Sequence, residues 1–403
     1  MRINFDAEPV CAPQPTGIGM VEIELCKRMI KKYPENDYLF TCFSLRHNGE
    51  KRERIRSRAE GKAKIKIFPL LSSGLYKMIG SVLPLPYRMF FGGRSEITHF
   101  FNFVIPFGVR GKRVCTIHDL AFKRYPETVN LKTRKYLEYS IKKTIKRADK
   151  IVVVSKFTAD ELTELYGVPS EKIAVIYNGV DFDLYNGNID REAADAVLEK
   201  RELERGKYFF YLGTIEPRKN IYRMVGAYAK CAMRLKAEGK EVPKLVLGGK
   251  LGWYYDEILE RIKKENIEDN IRLLGYVDEN EKPSLYSGAL AFTFPSLYEG
   301  FGLPIAEAMA CGTPVLTSNS TSLAEIAGDS AILCDAMSEE DMAEGMYRLA
   351  TEPELRAELS AKGPMRAREF DWDASAEKLY KLYGEVINGT PKNNTTEARN
   401  GEL

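Results

Sequence analysis

Short apolar segments alternate with longer amphipathic ones along this 403-residue chain, and this alternation limits the folds that it can adopt. In the C-terminal half, segments of helical periodicity such as 221–238 and 253–265 separate runs rich in β-branched and aromatic residues. Strands that are apolar along their whole length are typical of a parallel sheet with helices on both faces. The predicted strands of this half are 208–213, 244–249, 270–277, 289–296, 313–318 and 331–335.

The N-terminal half repeats this pattern, and the length of the chain suits two domains better than one. Its predicted helix over 156–166 follows the last of five predicted strands, which are 2–7, 38–43, 97–103, 113–120 and 150–155. A segment rich in Asn, Asp and Gly, 177–190, has the composition of a linker. We therefore predict an α/β fold of two doubly wound parallel-sheet domains, 1–178 and 179–369.

Composition argues against several classes of protein. No stretch reaches eighteen uninterrupted apolar residues, which argues against a transmembrane helix. The N-terminus lacks the apolar core of a signal peptide, so we expect a cytoplasmic protein. The seven cysteines are scattered without a Cys-x-x-Cys pair, which favours reduced structural thiols. With three histidines in the whole chain, a histidine-rich metal site is not expected.

The two halves of the chain differ in charge. Residues 1–180 hold 32 Lys/Arg and 18 Asp/Glu, a net charge of +14, and the remainder has a net charge of −11. Basic clusters in 51–94 and 134–150 lie beside Leu, Met, Tyr and Phe, a combination that suits an anionic membrane surface. The alternative is a solvated helix face next to buried core. Nucleic acid is not an expected partner, because no recognised reading motif accompanies the charge.

Two loops are candidates for holding phosphate groups, since ligands of open α/β sheets bind where strand ends meet helix N-termini. Gly17 and Gly19 precede a predicted helix over 20–32, although Glu22 stands where a dinucleotide-binding motif has its third glycine. Arg218 and Lys219 follow a predicted strand, where two cations could hold a diphosphate. The alternatives are a tight turn and a solvated surface pair, respectively.

The segment 289–312 is a third candidate. A buried-strand signal leads into a loop with Gly300 and Gly302 and then into a predicted helix. Glu299 lies in the loop and Glu307 lies about one turn into the helix, so both carboxylates can accept hydrogen bonds from hydroxyl groups in one crevice. A favourable interaction with the helix dipole explains Glu307 alone, but not the loop and both carboxylates together.

These motifs resemble those of a known family. The run 298–316, "YEGFGLPIAEAMACGTPVL", resembles the Glu-x7-Glu signature of the family-4 retaining glycosyltransferases, which have the GT-B fold of two facing Rossmann-like domains. "TGIG", "TIHDL", "VVVSKFTADEL", "VIYNGVD", "YLGTIEPRKN" and "LLGYV" are similar to family segments in the family's order. The resemblance also implies that 370–387 is a helix returning to the N-terminal domain, before a polar tail over 388–403.

The resemblance implies that the C-terminal domain, 179–369, binds the nucleotide sugar and that the N-terminal domain, 1–178, binds the acceptor. It also implies site residues of two kinds. Thr214 stands where many relatives carry an arginine, and the charge of Arg218 would replace it. The residues near the reacting sugar and the departing phosphate are His118, Glu299, Arg218 and Lys219. The residues that bind the rest of the donor are Gly17, Gly19, Thr214, Val277, Phe301, Gly302, Leu303 and Glu307.

The resemblance also implies a reaction. A retaining transferase would move a hexose from a nucleotide sugar, with GDP-mannose favoured, to a saccharide or lipid-linked saccharide acceptor in cell-surface polysaccharide or glycolipid synthesis. No nucleophile is assigned, because the resemblance implies transfer on one face of the sugar. No Asp-x-Asp motif occurs where a metal site would be expected, and the cationic side chains make a metal dispensable, so we expect no cofactor and no metal. The basic clusters favour peripheral attachment at the inner face of the plasma membrane. The alternatives are a UDP- or dTDP-sugar donor, a sugar-nucleotide epimerase of the same fold, and a catalytically silent membrane-associated scaffold.

Overall fold

The computed structural model describes residues 1–13, 17–59, 63–83, 85–93, 95–250, 252 and 255–389. The first half forms a seven-stranded parallel sheet in the order β3-β2-β1-β4-β5-β6-β7. Its strands are β1 (Arg2–Asp6), β2 (Asp37–Phe43), β3 (Lys64–Phe68), β4 (Ile97–Phe100), β5 (Lys112–Ile117), β6 (Lys150–Val153) and β7 (Ile173–Val175). Its helices are α1 (Gly17–Lys32), α2 (Asn48–Arg58), α3 (Ser73–Val82), α4 (Arg88–Phe91), α5 (Ala121–Arg124), α6 (Leu131–Arg147) and α7 (Lys156–Tyr166).

The second half forms a six-stranded parallel sheet in the order β10-β9-β8-β11-β12-β13. Its strands are β8 (Tyr208–Leu212), β9 (Lys244–Gly248), β10 (Ile271–Gly275), β11 (Ala291–Phe294), β12 (Val315–Ser318) and β13 (Ile332–Cys334). The helices that follow β7 are α8 (Arg191–Lys200), α9 (Ile221–Ala237), α10 (Tyr255–Lys264), α11 (Lys282–Gly288), α12 (Leu303–Ala310), α13 (Thr321–Ala327), α14 (Glu339–Thr351), α15 (Pro353–Ala367) and α16 (Trp372–Asn388).

Helix α16 returns to the N-terminal half. Its apolar face, which includes Leu379 and Tyr383, shares a core with Ile3 of β1 and Val21 of α1. The chain crosses between the halves where Gly179 approaches the backbone of Trp372, and a Cβ at Gly179 would lie 2.4 Å from the Trp372 nitrogen. The N-terminal core is therefore completed by the far end of the chain.

Three local features differ from the sequence prediction. Strand β3 lies inside the basic segment 51–94, where lysines alternate with isoleucines and obscure the apolar pattern. The short strand β7 was not predicted. Helix α1 begins at Gly17 and not at residue 20, so Gly17 and Gly19 belong to its first turn.

All seven cysteines are free and buried. Among the described residues, none of the helices has the length and apolar character of a membrane-spanning segment. Residues 390–403 of the predicted polar tail lie outside the described residues.

Candidate active site

The candidate site forms where strand ends of the two domains face each other. His118 follows β5 of the N-terminal domain, and the loop of Glu299 follows β11 of the C-terminal domain. Gly300 lies so close to His118 that a Cβ at Gly300 would be 1.8 Å from the His118 carbonyl oxygen. The side chain of Tyr298 also crosses the interface, because its hydroxyl accepts a hydrogen bond from the Leu120 amide at 2.9 Å.

Glu299 lies between two cations. Arg218 donates from Nη1 to its Oε2 at 3.0 Å, and Lys219 donates from Nζ to its Oε1. Both cations come from a single turn at 217–219, in the loop that follows β8. The side chains of Arg218, Lys219 and Glu299 are all largely buried. Arg218 also donates to Glu216 at 2.8 Å. The four charged groups therefore form one network, and Arg218 and Lys219 are not a solvated surface pair.

Burial and charge act in opposite directions on these groups. Burial alone would raise the pKa of Glu299, but Lys219 and Arg218 lower it to about 2. For Lys219, burial is the larger effect and lowers its pKa in spite of the attraction of Glu299. For Arg218, the surrounding carboxylates outweigh burial and raise its pKa. Glu299 is consequently an anion whose two oxygens are already engaged.

Glu307 lies in a second polar cluster on the same side of β11. Its Oε2 accepts a hydrogen bond from the Tyr286 hydroxyl at 3.0 Å. Burial raises the pKa of Glu307 to about 7; Lys282 opposes this effect and Glu279 adds to it. Glu279 in turn accepts hydrogen bonds from Tyr185 at 2.5 Å and from Lys282 at 2.6 Å. No hydrogen bond links Glu307 with Glu299 in the described part of the chain.

The loop between the two glutamates is fixed by packing. Gly302 has a φ of 98°, and a Cβ there would lie 2.6 Å from Cδ2 of Leu323, so glycine is required on both counts. The ring of Phe301 is buried 5.5 Å from that of Phe370. Leu303 then begins α12, whose N-terminal amides lie in the loop beside Glu299.

The other residues predicted to bind the sugar donor are Thr214 and Val277, which follow strands of the C-terminal sheet, and Gly17 and Gly19 of the N-terminal domain. Thr214 is exposed, and its carbonyl accepts a hydrogen bond from Tyr211 at 3.2 Å. Val277 is buried beside Gly248 at the end of β9. Gly17 is exposed and Gly19 is buried in α1, but residues 14–16, which begin the predicted glycine loop, lie outside the described residues.

His118 is held in one tautomer. Its Nε2 lies 2.7 Å from the Phe101 carbonyl oxygen, which can only accept, so Nε2 carries a proton. Burial lowers the pKa of His118, and the imidazole is therefore neutral with Nδ1 as an acceptor. The ring of Phe103 lies 6.0 Å from that of His118.

Several residues that position the site were not identified from the sequence. Glu325 of α13 accepts hydrogen bonds from the amides of Lys156 and Phe157, both at 3.0 Å, and thereby caps α7 of the other domain. Tyr298 donates to Glu161 across the same interface. A glutamate and a tyrosine of this kind carry no local sequence signal, because each partner lies more than a hundred residues away.

A cleft between the domains opens beside this network. Its walls include Asp119 and Phe122 from the N-terminal domain and Glu216 and Arg218 from the C-terminal domain. In the described residues, no group of three or more His, Cys, Asp or Glu side chains is arranged to hold a metal ion.

Two parallel α/β domains, a helix returning from the second to the first, and a charged site between their strand ends define the GT-B class of proteins. A crystal structure of HepE from Anabaena, in complex with UDP and glucose, shares this fold. It has a TM-score of 0.73 and 17% sequence identity, and the alignment covers 95% of this chain and 99% of that one.

Family models match both domains of the chain. Glycosyltransferase Family 4 matches residues 16–184, and Glycosyl transferases group 1 matches residues 194–366. O-antigen chain mannosyltransferase B of Escherichia coli is 31% identical over 95% of this chain and 99% of its own length. The serotype-specific mannosyltransferase WbdA of Escherichia coli is 31% identical over 66% of this chain and 32% of that protein. The chain therefore belongs to the family-4 glycosyltransferases and is a glycosyltransferase.

Proposed function

We propose that the protein transfers mannose, with retention of configuration, from GDP-mannose to a saccharide or lipid-linked saccharide acceptor of cell-surface polysaccharide or glycolipid synthesis. The observation that carries the proposal is the buried network of Glu299, Arg218 and Lys219 at the interface of the two domains. The similarity to a mannosyltransferase over nearly the whole of both chains supports mannose as the transferred sugar.

We assign each part of the sugar donor to residues of the site. Glu307 would accept hydrogen bonds from the ribose hydroxyls, and the backbone at Val277 would contact the base. The amides of Phe301, Gly302 and Leu303, together with Gly17 and Gly19, would face the diphosphate, with Thr214 beside it. Arg218 and Lys219 would stabilise the negative charge that develops on the departing phosphate.

Retention is proposed to occur by transfer on one face of the sugar. The bond from the anomeric carbon to the phosphate oxygen breaks, the acceptor oxygen forms the new bond, and the acceptor proton passes to the phosphate. Glu299 is assigned no nucleophilic role, because both of its oxygens bind cations. It would accept hydrogen bonds from sugar hydroxyls, and His118 would lie near the sugar and the acceptor.

We propose that the reaction needs no cofactor and no metal ion, because two cationic side chains already lie where the leaving group is expected. The test is activity after dialysis against EDTA. Retention of full activity supports the proposal, and a loss that Mg²⁺ or Mn²⁺ restores contradicts it.

We further propose a cytoplasmic enzyme attached peripherally to the anionic inner face of the plasma membrane. Five lysines of α6 are exposed, and each basic residue near an anionic surface contributes about 1 kcal/mol to membrane attachment. Those lysines are Lys132, Lys135, Lys142, Lys143 and Lys146. Co-sedimentation with phosphatidylglycerol liposomes at low salt supports the attachment, and equal recovery with neutral liposomes contradicts it.

Thermal stability in the presence of GDP, UDP, dTDP and ADP tests the donor. A ligand that binds only the folded protein at about 100 times its Kd stabilises it by roughly 2.7 kcal/mol. Stabilisation by GDP alone, lost in Glu307→Ala, supports the proposal. Stabilisation by UDP or dTDP alone would contradict GDP-mannose as the donor but not the assignment as a glycosyltransferase. A response to none of them favours a silent scaffold, and release of a free sugar from the donor without an acceptor favours an epimerase.

A further inference from the structure

Tyr298 comes directly before Glu299 in the chain, and its side chain extends into the other domain. The residue is 1% exposed, although it lies in the loop between β11 and α12. Its ring packs against the rings of Tyr125 and Phe157 of the N-terminal domain, with centres 5.6 and 5.7 Å apart. A phenylalanine ring would pack in the same way, so the hydroxyl group needs a separate explanation.

The hydroxyl group of Tyr298 forms two hydrogen bonds, both with the N-terminal domain. It accepts from the Leu120 amide at 2.9 Å and donates to a carboxylate oxygen of Glu161. Glu161 is buried, and its other oxygen accepts from Arg124 Nε at 2.6 Å. A hydrogen bond to an ionised carboxylate is stronger than one between neutral groups, and without the hydroxyl the buried Leu120 amide would lose this acceptor.

These contacts hold both ends of the short helix α5. Leu120 directly precedes the helix, and Arg124 is its last residue. His118 lies two residues before Leu120 on the same segment. The hydroxyl of Tyr298 and the carboxylate of Glu161 therefore fix the part of the N-terminal domain that carries His118.

The backbone of Tyr298 contacts a cation of the candidate active site. Its carbonyl accepts a hydrogen bond from Arg218 Nη1 at 2.7 Å, and the same nitrogen donates to Glu299. Ser322 Oγ donates to the Glu299 carbonyl at 2.8 Å, which ties the loop to the C-terminal domain. Tyr298 is thus bonded through its carbonyl to Arg218 and through its hydroxyl to the segment of His118.

We propose that Tyr298 is a positioning residue that aligns His118 of one domain with Arg218 of the other, so that its hydroxyl group is needed for transfer of the sugar but not for binding of the donor. Glu307 and Val277, which are assigned to the nucleoside, both lie in the C-terminal domain. Transfer also needs the N-terminal domain in place. This role rests on the proposed function for its substrates, GDP-mannose and a mannoside.

Tyr298→Phe tests the role, because it removes the hydroxyl group and keeps the ring. Transfer is measured from GDP-mannose to a methyl α-dimannoside, at a temperature well below the Tm of every variant. We expect kcat to fall about tenfold or more, the loss of a charge-assisted hydrogen bond, and the KM for GDP-mannose to change by less than about twofold. An unchanged kcat, or a higher KM at constant kcat, would overturn the proposal.

The matched control is Tyr228→Phe. Tyr228 is fully buried in α9, and its hydroxyl donates to the Pro243 carbonyl at 2.8 Å within the C-terminal domain. We expect this variant to have a lower Tm and the kcat of the wild type. Equal losses of kcat in the two tyrosine variants would show a general effect of destabilisation and overturn the positioning role.

A double-mutant cycle with Glu161→Ala tests the contact across the interface. Arg124 keeps a partner in this variant, since its Nη2 also donates to Glu164 at 2.6 Å. If Tyr298 acts through Glu161, the variant with both changes should lose no more kcat than the more impaired single variant. Losses that multiply would show independent effects and overturn the assignment of Glu161 as the partner.

Hydrogen exchange over residues 118–121 reports the same contact without any substrate. We expect faster exchange there in Tyr298→Phe, because the Leu120 amide loses its acceptor, and wild-type exchange in Tyr228→Phe. Unchanged exchange in Tyr298→Phe would show that the hydroxyl does not hold this segment and would overturn the proposal. If the wild type transfers no sugar from GDP-mannose, the proposed function fails, while hydrogen exchange still decides whether Tyr298 joins the two domains.

Discussion

Gly300 approaches the carbonyl oxygen of His118 more closely than any other residue type would allow. A Cβ at Gly300 would lie 1.8 Å from that oxygen, which belongs to the backbone and cannot rotate away. Gly300 belongs to the loop of Glu299, and His118 directly follows a strand of the other domain. The absence of a side chain at residue 300 therefore sets how closely the two halves of the site approach each other.

Gly300→Ala is expected to separate the two domains at the site. Because a displacement of about 1 Å can lower a rate about 100-fold, we expect kcat/KM to fall by about that factor. The control is Gly384→Ala, since a Cβ at Gly384 of α16 meets no atom within 4 Å. That control is expected to keep its activity and to gain up to about 1 kcal/mol of stability. Wild-type kcat/KM in Gly300→Ala would show that turnover does not need this contact.

Much of the fold could be predicted from the sequence because buried parallel strands are apolar along their length. Strand β8 is buried at all five positions, and its uninterrupted apolar sequence predicted the strand correctly. Strand β3 was missed, since its lysines lie on an edge of the sheet where they are exposed. An apolar run thus predicted even the edge strands β10 and β13, whereas the alternating lysines of β3 concealed that strand.

Glu299→Gln is expected to destabilise the protein, because it leaves Lys219 buried without its counterion. Removal of one member of a buried ion pair costs about 3 kcal/mol or more, measurable by urea unfolding at pH 7. The pKa of Glu299 is lowered to about 2 on folding, so its contribution is present above about pH 4.5 and is lost as the pH falls towards 2.

Two controls accompany this variant. Glu344→Gln removes an exposed partner of Arg234 and is expected to change stability by less than about 1 kcal/mol. Adding Lys219→Met to Glu299→Gln is expected to recover part of the loss, because the buried charge is then absent. No recovery in this double variant would show that the loss arises from packing and not from the unpaired lysine.

The resemblance implied two facing domains, but the residue contacts that join them could not be predicted from the sequence. The Tyr298 hydroxyl meets Glu161, and Glu325 meets the first turn of α7, only after both domains have folded and docked. The cavity of the N-terminal domain that is lined by residues from Asp6 to Arg147 is also assembled from strands and helices that are far apart in the chain. The Glu299 loop, in contrast, lies within one short segment that could be recognised by itself.

Glu325→Gln is expected to loosen the contact between the domains. The carboxylate accepts hydrogen bonds from the Lys156 and Phe157 amides and from the Tyr177 hydroxyl, whereas the amide nitrogen of glutamine cannot accept. The loss of a charged cap costs about 1 kcal/mol. We expect kcat/KM to fall by up to about tenfold, the equivalent of that energy, and the radius of gyration to increase in small-angle scattering.

Glu358→Gln is the control for this variant, since Glu358 forms an exposed pair with Lys362 within α15. It is expected to match the wild type in both measurements. A normal rate and an unchanged radius of gyration in Glu325→Gln would show that other contacts are sufficient to hold the domains together.

Glu307 is expected to make both stability and donor binding depend on pH. Folding raises its pKa from 4.5 to about 7, so the folded protein keeps a proton that the unfolded chain loses between these values. The stability of the ligand-free protein should therefore fall as the pH rises from about 4.5 to 7. Glu307→Gln should lack this loss and be more stable than the wild type at pH 8, by up to about 3 kcal/mol.

The affinity for the donor should instead increase as the pH rises. The ionised carboxylate of Glu307 accepts hydrogen bonds from both ribose hydroxyls, whereas the protonated one is a poorer acceptor. We expect the Kd for GDP-mannose, measured by calorimetry, to decrease as the pH rises from 6 to 8, by about tenfold. The nucleotide sugar is the right probe, since its diphosphate lacks the terminal group that titrates near pH 6. Glu307→Gln should bind more weakly at pH 8 and without this pH dependence; the same pH dependence in the variant would assign the titration to another group.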